Sequence, residues 1–148
     1  MKPKIDFLAI GDVLTDAFIH LQDAEVHCNI DNSGCTITLP FGAKIPYKSV
    51  EVLRGVGNAA NAAVAAGRLG LKSALIAIVG NDDEGAKTHE HFKTESVMTD
   101  FLTTQDGIPT NYHYVLSYGA ERTILVKHEH YDYKLDIEKL NQYDIEWI

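Results

Sequence analysis

Positive charge is scarce in this chain. Its 13 Lys and Arg stand against 21 Asp and Glu, giving a net charge of −8 and a pI near 5.2. Binding nucleic acid requires a basic face to meet the phosphates, so that class of partner is excluded. Long apolar runs are missing as well. Nothing approaches the roughly 20 apolar residues of a spanning helix, and Asp6 and Asp12 interrupt the N-terminal stretch too soon for a signal peptide. No membrane association is expected, and the expected compartment is the cytoplasm. The sequence also has no repeat, no low-complexity tract, no flexible linker and no G-x-x-x-x-G-K-[ST] phosphate loop.

Cysteine is nearly absent, with only Cys28 and Cys35 present. The two flank a turn and could face each other across a hairpin, but a cytoplasmic setting favours two reduced, structural thiols over a disulfide. They are too few for a structural zinc site without histidine. The seven histidines include the pairs His89-x-His91 and His128-x-His130. On a helix the first spacing does not share a face. On a strand the second would, yet no third ligand is near. All seven are read as solvated or packing residues, and no metal site is expected.

What is present suffices for one globular domain. The chain has 148 residues, 45% of them hydrophobic, enough for a core but short for an enzyme of two substrates. Its organising stretch runs from Arg54 to Gly85. Gly55 and Gly57 free the backbone before an alanine-rich helix over Asn58–Leu69, and Gly70 sits where a left-handed C-cap belongs. Ser73–Val79 follows as a continuous apolar strand ending at Gly80-Asn81-Asp82. A helix with so little side-chain bulk can lie close against a sheet, with its N-terminal N–H groups facing the cleft. That suits a ligand site built from backbone amides and a short polar side chain such as Asn61.

Gly55-Val56-Gly57-Asn58-Ala59-Ala60 also satisfies the dinucleotide fingerprint G-x-G-x-x-G/A, with Asp82 some way on. That fingerprint should directly follow a buried strand. Ser49–Arg54 is short and half charged, and the first strand, Ile5–Ile10, lies far upstream. A dinucleotide site is therefore disfavoured.

Ile5–Ile10 reads as a central parallel strand, buried on both faces. The residues after Gly11-Asp12 leave from its carboxyl end, the edge at which open α/β sheets bind ligands. Asp16 falls there, and a carboxylate can accept hydrogen bonds from two adjacent hydroxyls; from position alone it would only solvate a turn. Ala24–Phe41 alternates around the turn signal Asp31-Asn32-Ser33-Gly34, with Val26, Cys28, Ile30, Cys35, Ile37 and Leu39 on the apolar face of a hairpin. A hairpin is marginal alone, so that face must cover something. A helix over Ala86–Thr94 is capped by Asp82 or Asp83, and Thr99–Thr103 is a short strand. Thr110–Tyr118 and Thr123–Lys127 make a second hairpin with Tyr112, Tyr114, Leu116 and Tyr118 on one face. Lys134–Gln142 is a short polar helix, and Tyr143–Ile148 begins another core strand.

Three segments carry a family resemblance: Val56-Gly57-Asn58-Ala59-Ala60-Asn61-x-Ala63, Arg68-Leu69-Gly70, and Val79-Gly80-x-Asp82-x-x-Gly85. Together they resemble the N-terminal signature of the ribokinase-like (PfkB) carbohydrate kinases. Gly11-Asp12-Val13-Leu14-Thr15-Asp16 resembles the family's sugar-holding motif, and Thr110 through Glu121-Arg122 its second lid segment. Val56 departs from the family's first glycine, and Glu84 stands where Phe is frequent.

The resemblance implies an α/β fold, with a partial Rossmann-like parallel sheet, flanking helices and a small β-sheet lid. Residues 1–148 would be the N-terminal half of the domain, with lid hairpins at about 24–41 and 110–127. It implies a sugar or nucleoside kinase using ATP and Mg2+ when complete, with Asp16, Gly57, Asn58 and Asn61 holding the acceptor and a homodimer formed through the lid. The family's catalytic G-A-G-D motif is not found in this sequence. No catalytic residue is therefore assigned, and the chain alone is expected to bind no nucleotide and to be inactive. It would be a truncated or split product, or a stand-alone module that binds sugar without catalysis.

Overall fold

The computed structural model describes residues 1–31 and 33–148, so Asn32 of the expected turn lies outside the described residues. In chain order the elements are β1 (Lys4–Ile10), β2 (Leu14–Leu21), β3 (Glu25–His27), β4 (Thr36–Thr38), β5 (Tyr47–Val56), α1 (Asn58–Arg68), β6 (Ser73–Gly80) and α2 (Asp83–Thr94). Then follow β7 (Val97–Met98), β8 (Leu102–Gln105), β9 (Tyr112–Tyr118), β10 (Glu121–Leu125), α3 (Ile137–Leu140) and β11 (Asp144–Trp147). Two main sheets result. The first, wholly parallel, runs β11-β1-β6-β7, with β8 also paired to β6. The second runs β10-β9-β2-β5; its β2·β9 pair is parallel and the others are antiparallel.

The parallel sheet is what the apolar runs at Ile5–Ile10 and Ser73–Val79 require. Helix α1 covers one face through Ala60, Ala63 and Ala66, all buried against Ala9, Leu75 and Ala77. The small side chains let the axis come close, and Ser73 Oγ donates to Ala63 O at 2.7 Å. A Cβ on Gly67 would stand 2.8 Å from Glu95 O, so bulk is excluded there as well. The helix ends as its glycine announces. Gly70 has φ 88°, its N–H bonds Gly67 O, and Leu71 N–H bonds Ala66 O, which is the paired arrangement of a Schellman cap.

Asp82 joins the two sheets. As N-cap of α2 it accepts from Gly85 N at 2.8 Å, and it also takes Thr110 Oγ1 at 2.6 Å and Thr110 N at 2.9 Å. Thr110 Oγ1 in turn accepts from Gly80 N at 3.1 Å. Burial works against the Asp82 charge, but these bonds outweigh it and hold the carboxyl below its ordinary range. The knot leaves no room for side chains: a Cβ on Gly85 would overlap Gly80 O, and one on Gly80 would overlap Ile108 O.

The second sheet differs from the expectation of two inserted hairpins. Its β9–β10 hairpin matches one of the two expected, but Leu14–Leu21 and Tyr47–Val56 are also strands, paired antiparallel with each other. The missed β5 is an edge strand with Lys48, Glu51 and Arg54 along it and little burial, so its sequence lacks a buried-strand period. The segment 24–41 forms its own sheet of β3 and β4. Its outer end corrects the expectation of free thiols: Cys28 and Cys35 are joined by a disulfide. The register explains this, because Val26↔Ile37 and His27↔Thr36 place the next residues, Cys28 and Cys35, opposite each other with Cα atoms 4.0 Å apart.

Replacing Gly85 by Ala is expected to destabilise the chain by about 1–3 kcal/mol, since the methyl group must displace backbone rather than a side chain. Urea unfolding measures this, and an unchanged midpoint would contradict the packing of the knot.

Candidate functional site

Between β1 and β2 the chain turns at Gly11-Asp12, and the start of α1 sits against that turn. Gly57, the N-cap of α1, has φ 117°, and a Cβ on it would stand 2.8 Å from Asp12 O. A glycine is required for both reasons. Upstream, Thr15 pairs with Arg54 and Leu14 with Val56, leaving Gly55 (φ 66°) as an extra residue in β5. This is a β-bulge that turns the edge strand into the helix. Gly57 supplies no side-chain cap and the first turn of α1 has no acidic residue, so the N-terminal N–H groups keep their attraction for electron-rich ligand atoms.

Asp16 lies on β2 beside His113 of β9, to which it is matched in register. Its Oδ1 is 3.6 Å from His113 Nδ1 and has no hydrogen-bond partner among the described residues. Burial raises the Asp16 carboxyl above its ordinary value, while the nearby imidazole pulls the other way. Burial likewise pushes His113 down, opposed by Asp16. Each group is thus driven toward its neutral form, so the contact is a close polar pair and not a strong ion pair. A buried acceptor without a partner costs about 1–3 kcal/mol, and such a cost is retained where a ligand removes it.

The four expected site residues are not gathered at one point. Gly57 and Asn58 lie at the N-terminus of α1, near Asp12, with Asn58 exposed. Asn61, one turn on, lines a groove of about 810 Å³ between β5 and the two helices, together with Arg54, Arg68, Lys87 and His91. Asp16 lies on the other face of the second sheet from Arg54. Among the described residues no hydrogen bond or ion pair joins Asp16 to Asn58 or Asn61. Glu84 explains itself here: it accepts from Arg54 Nε at 2.8 Å and from Lys87 Nζ at 3.1 Å, and Thr15 Oγ1 is 3.4 Å away. A packing contact is replaced by an ionic one that ties α2 to β5 and β2.

Sequence reasoning missed several residues around Asp16. His113 is buried, and its ring meets His128 at right angles with centroids 5.2 Å apart. Asn111 is buried too: its Oδ1 accepts from Glu129 N at 2.7 Å, and its N–H donates to the Tyr131 hydroxyl at 3.1 Å. The Tyr133 hydroxyl donates to Asp12. The segment after β10 therefore folds back over the β1–β2 turn. The alternation of β9 held the one available signal, since His113 and Val115 take the face opposite the tyrosines.

This layout can be set beside known proteins. The sequence model of the pfkB family carbohydrate kinases matches residues 27–146. The chain belongs to that family. Among curated proteins, none matches it by sequence. Solved structures share its fold. Ribokinase from Cryptococcus neoformans var. grubii serotype A, in complex with ADP, is 24% identical at a TM-score of 0.62, the match covering 84% of this chain and 34% of that one. Arabidopsis thaliana ribokinase, complexed with ribose and ATP, is 18% identical at 0.66, covering 86% and 36%. The nucleoside kinase of Methanocaldococcus jannaschii is 17% identical at 0.64, covering 84% and 37%. This pfkB-family chain thus spans little more than a third of the length of these structural relatives.

Asp16→Asn tests the electrostatics of the site. A carboxyl whose folded pKa is raised contributes its stability below the unfolded pKa, near 3.9, and loses it as pH rises through the folded value. The charged Asp16 therefore weakens the fold at neutral pH. Asp16→Asn should raise the thermal midpoint at pH 7, with a gain that shrinks as the pH falls into the carboxylate range. A midpoint that drops at pH 7 would show that the Asp16 charge supports the fold.

Proposed function

We propose that this chain is the acceptor-binding part of a sugar or nucleoside kinase, which in its complete form moves the γ-phosphoryl group of ATP to a hydroxyl. The observation that carries the reading is Asp16: a half-buried carboxylate with one buried, unpartnered oxygen, placed just beyond the carboxyl end of β1 in a member of a carbohydrate kinase family. Phosphoryl transfer is largely a matter of positioning. Here Asp16 accepts hydrogen bonds from acceptor hydroxyls, and Gly57 and Asn58 offer backbone N–H groups at the start of α1, while Asn61 lines the separate groove beside Arg54. The second sheet and the β3–β4 hairpin serve as the lid, replacing water over the acceptor.

ATP and Mg2+ belong to the complete enzyme in this reading. The residues present do not fit them. The sequence has no lysine-bearing phosphate loop, and the described residues include no group of three or more His, Cys, Asp or Glu able to hold a metal ion. No step is derived through either group. A cytoplasmic location also belongs to this proposal; no helix among the described residues is long and apolar enough to cross a membrane.

The exposed face of the second sheet favours a dimer. Tyr114 is 49% exposed and Leu125 51%, and Val26 of the hairpin is 51% exposed. Exposed apolar side chains such as the paired Tyr114 and Leu125 suit a contact, and the edge of β5 invites pairing. Two copies packed lid to lid would cover both.

Two experiments test the proposal. In calorimetric titration with ribose or adenosine, Asp16→Ala should cost about 2–4 kcal/mol of affinity, the worth of lost charge-assisted bonds; equal affinity would remove Asp16 from the site. Light scattering should find a dimer that the double substitution Ile37→Glu, Leu39→Glu converts to a folded monomer. A monomer in the unmodified chain at micromolar concentration would sink the lid-to-lid assembly.

A further inference from the structure

Three buried side-chain atoms lack a hydrogen-bond partner among the described residues: Thr88 Oγ1 on α2, and Asp16 Oδ1 and His113 Nε2 on neighbouring strands. The last two belong to residues directly matched across β2 and β9. His113 is only 7% exposed. Its Nδ1 faces the Asp16 carboxylate at 3.6 Å, beyond hydrogen-bond length but close enough for the negative charge to favour the proton on that nitrogen. Nε2 is then left with its lone pair. The charged and titratable groups facing His113 are Asp16 from β2 and His128 from the segment after β10. Burial keeps the imidazole neutral, with His128 acting in the same direction and Asp16 against it. Nearby Asn111 is already committed through both Oδ1 and its N–H.

We propose that His113 is a substrate-positioning residue of the Asp16 site, its Nε2 accepting one hydroxyl of an uncharged polyol, another hydroxyl of which donates to Asp16 Oδ1. The inference rests on the reading of Asp16 as the carboxylate that holds the acceptor. Asp16 Oδ1 and His113 Nε2 are two unpartnered acceptors on directly matched residues, and the several hydroxyls of a sugar are donors that can serve both. A phosphate or carboxylate group brings negative charge and few donors at neutral pH, and is repelled by the Asp16 carboxylate. His128 is exposed, so its ring can turn aside on the fast timescale of surface side chains and admit the ligand.

The test titrates the whole chain with D-ribose, deoxyribose and inorganic phosphate, followed by calorimetry and by proton–nitrogen NMR of the histidine rings. Ribose should move the His113 Nε2 resonance in the direction of an accepted hydrogen bond, deoxyribose should bind about tenfold more weakly, and phosphate should leave the resonance in place. His113→Leu should weaken ribose about tenfold, and His113→Gln, which keeps an acceptor, should restore most of the loss. The NMR measurement uses the unmodified chain and does not depend on either variant folding. If Asp16→Ala weakens ribose while His113→Leu does not and the Nε2 resonance stays still, the role of His113 is overturned and Asp16 keeps its own. If ribose fails to bind, or binds equally well to Asp16→Ala, both readings fall.

Discussion

The carboxylate of Asp82 holds this molecule in one shape. Its two oxygens collect the first turn of α2 and both donors of Thr110, and so fasten the parallel sheet to the start of β9. From Thr110 onward β9 pairs with β2, and β2 with β5. The position of the whole second sheet therefore descends from one cap. Three hydrogen bonds to a charged acceptor are strong because the charge is shared among rigid donors, and the glycines at 80 and 85 are the steric condition for that approach.

The candidate site depends on the same construction. Asp16 and His113 are far apart in sequence and face each other only because β2 and β9 run parallel in matched register. A shift of one residue would move one of the pair to the opposite face. Thr15 N–H bonding Asn111 O at 2.9 Å fixes that register from below. On the other face of the sheet, Arg54 binds Glu84 of α2 by charge. The two faces thus divide the work: one is locked to the helix layer, and the other carries the unsatisfied polar pair.

Small residues set how closely the layers approach. Ala60, Ala63 and Ala66 bring α1 down onto β1 and β6, and Gly57 lets the helix start against the backbone of Asp12. This closeness puts the free N–H groups of α1 at the edge where β1 ends. The β3–β4 hairpin is held differently, by its own antiparallel pairing and the Cys28–Cys35 bond.

The sequence by itself determined the parallel core, because buried strands and an alanine-striped helix have local signatures: apolar runs at Ile5–Ile10 and Ser73–Val79, and Gly70 as a C-cap. It also narrowed the cap of α2 to Asp82 or Asp83 and marked a further strand near β11. The hairpin of β9 and β10 was legible too, but only the tertiary structure decided how β2 and β5 join it in the second sheet. Strand β5 is a charged edge with no burial period, and β2 carries Asp16 at a position that a pattern of apolar residues would skip. The disulfide was likewise a matter of register: the spacing of Cys28 and Cys35 permitted it, and the pairing of β3 with β4 brought the two together. His113 shows the limit most plainly. Its significance lies in the loss of water and the gain of Asp16 as a neighbour, and both come from a strand pairing spanning nearly a hundred residues, which no local pattern encodes.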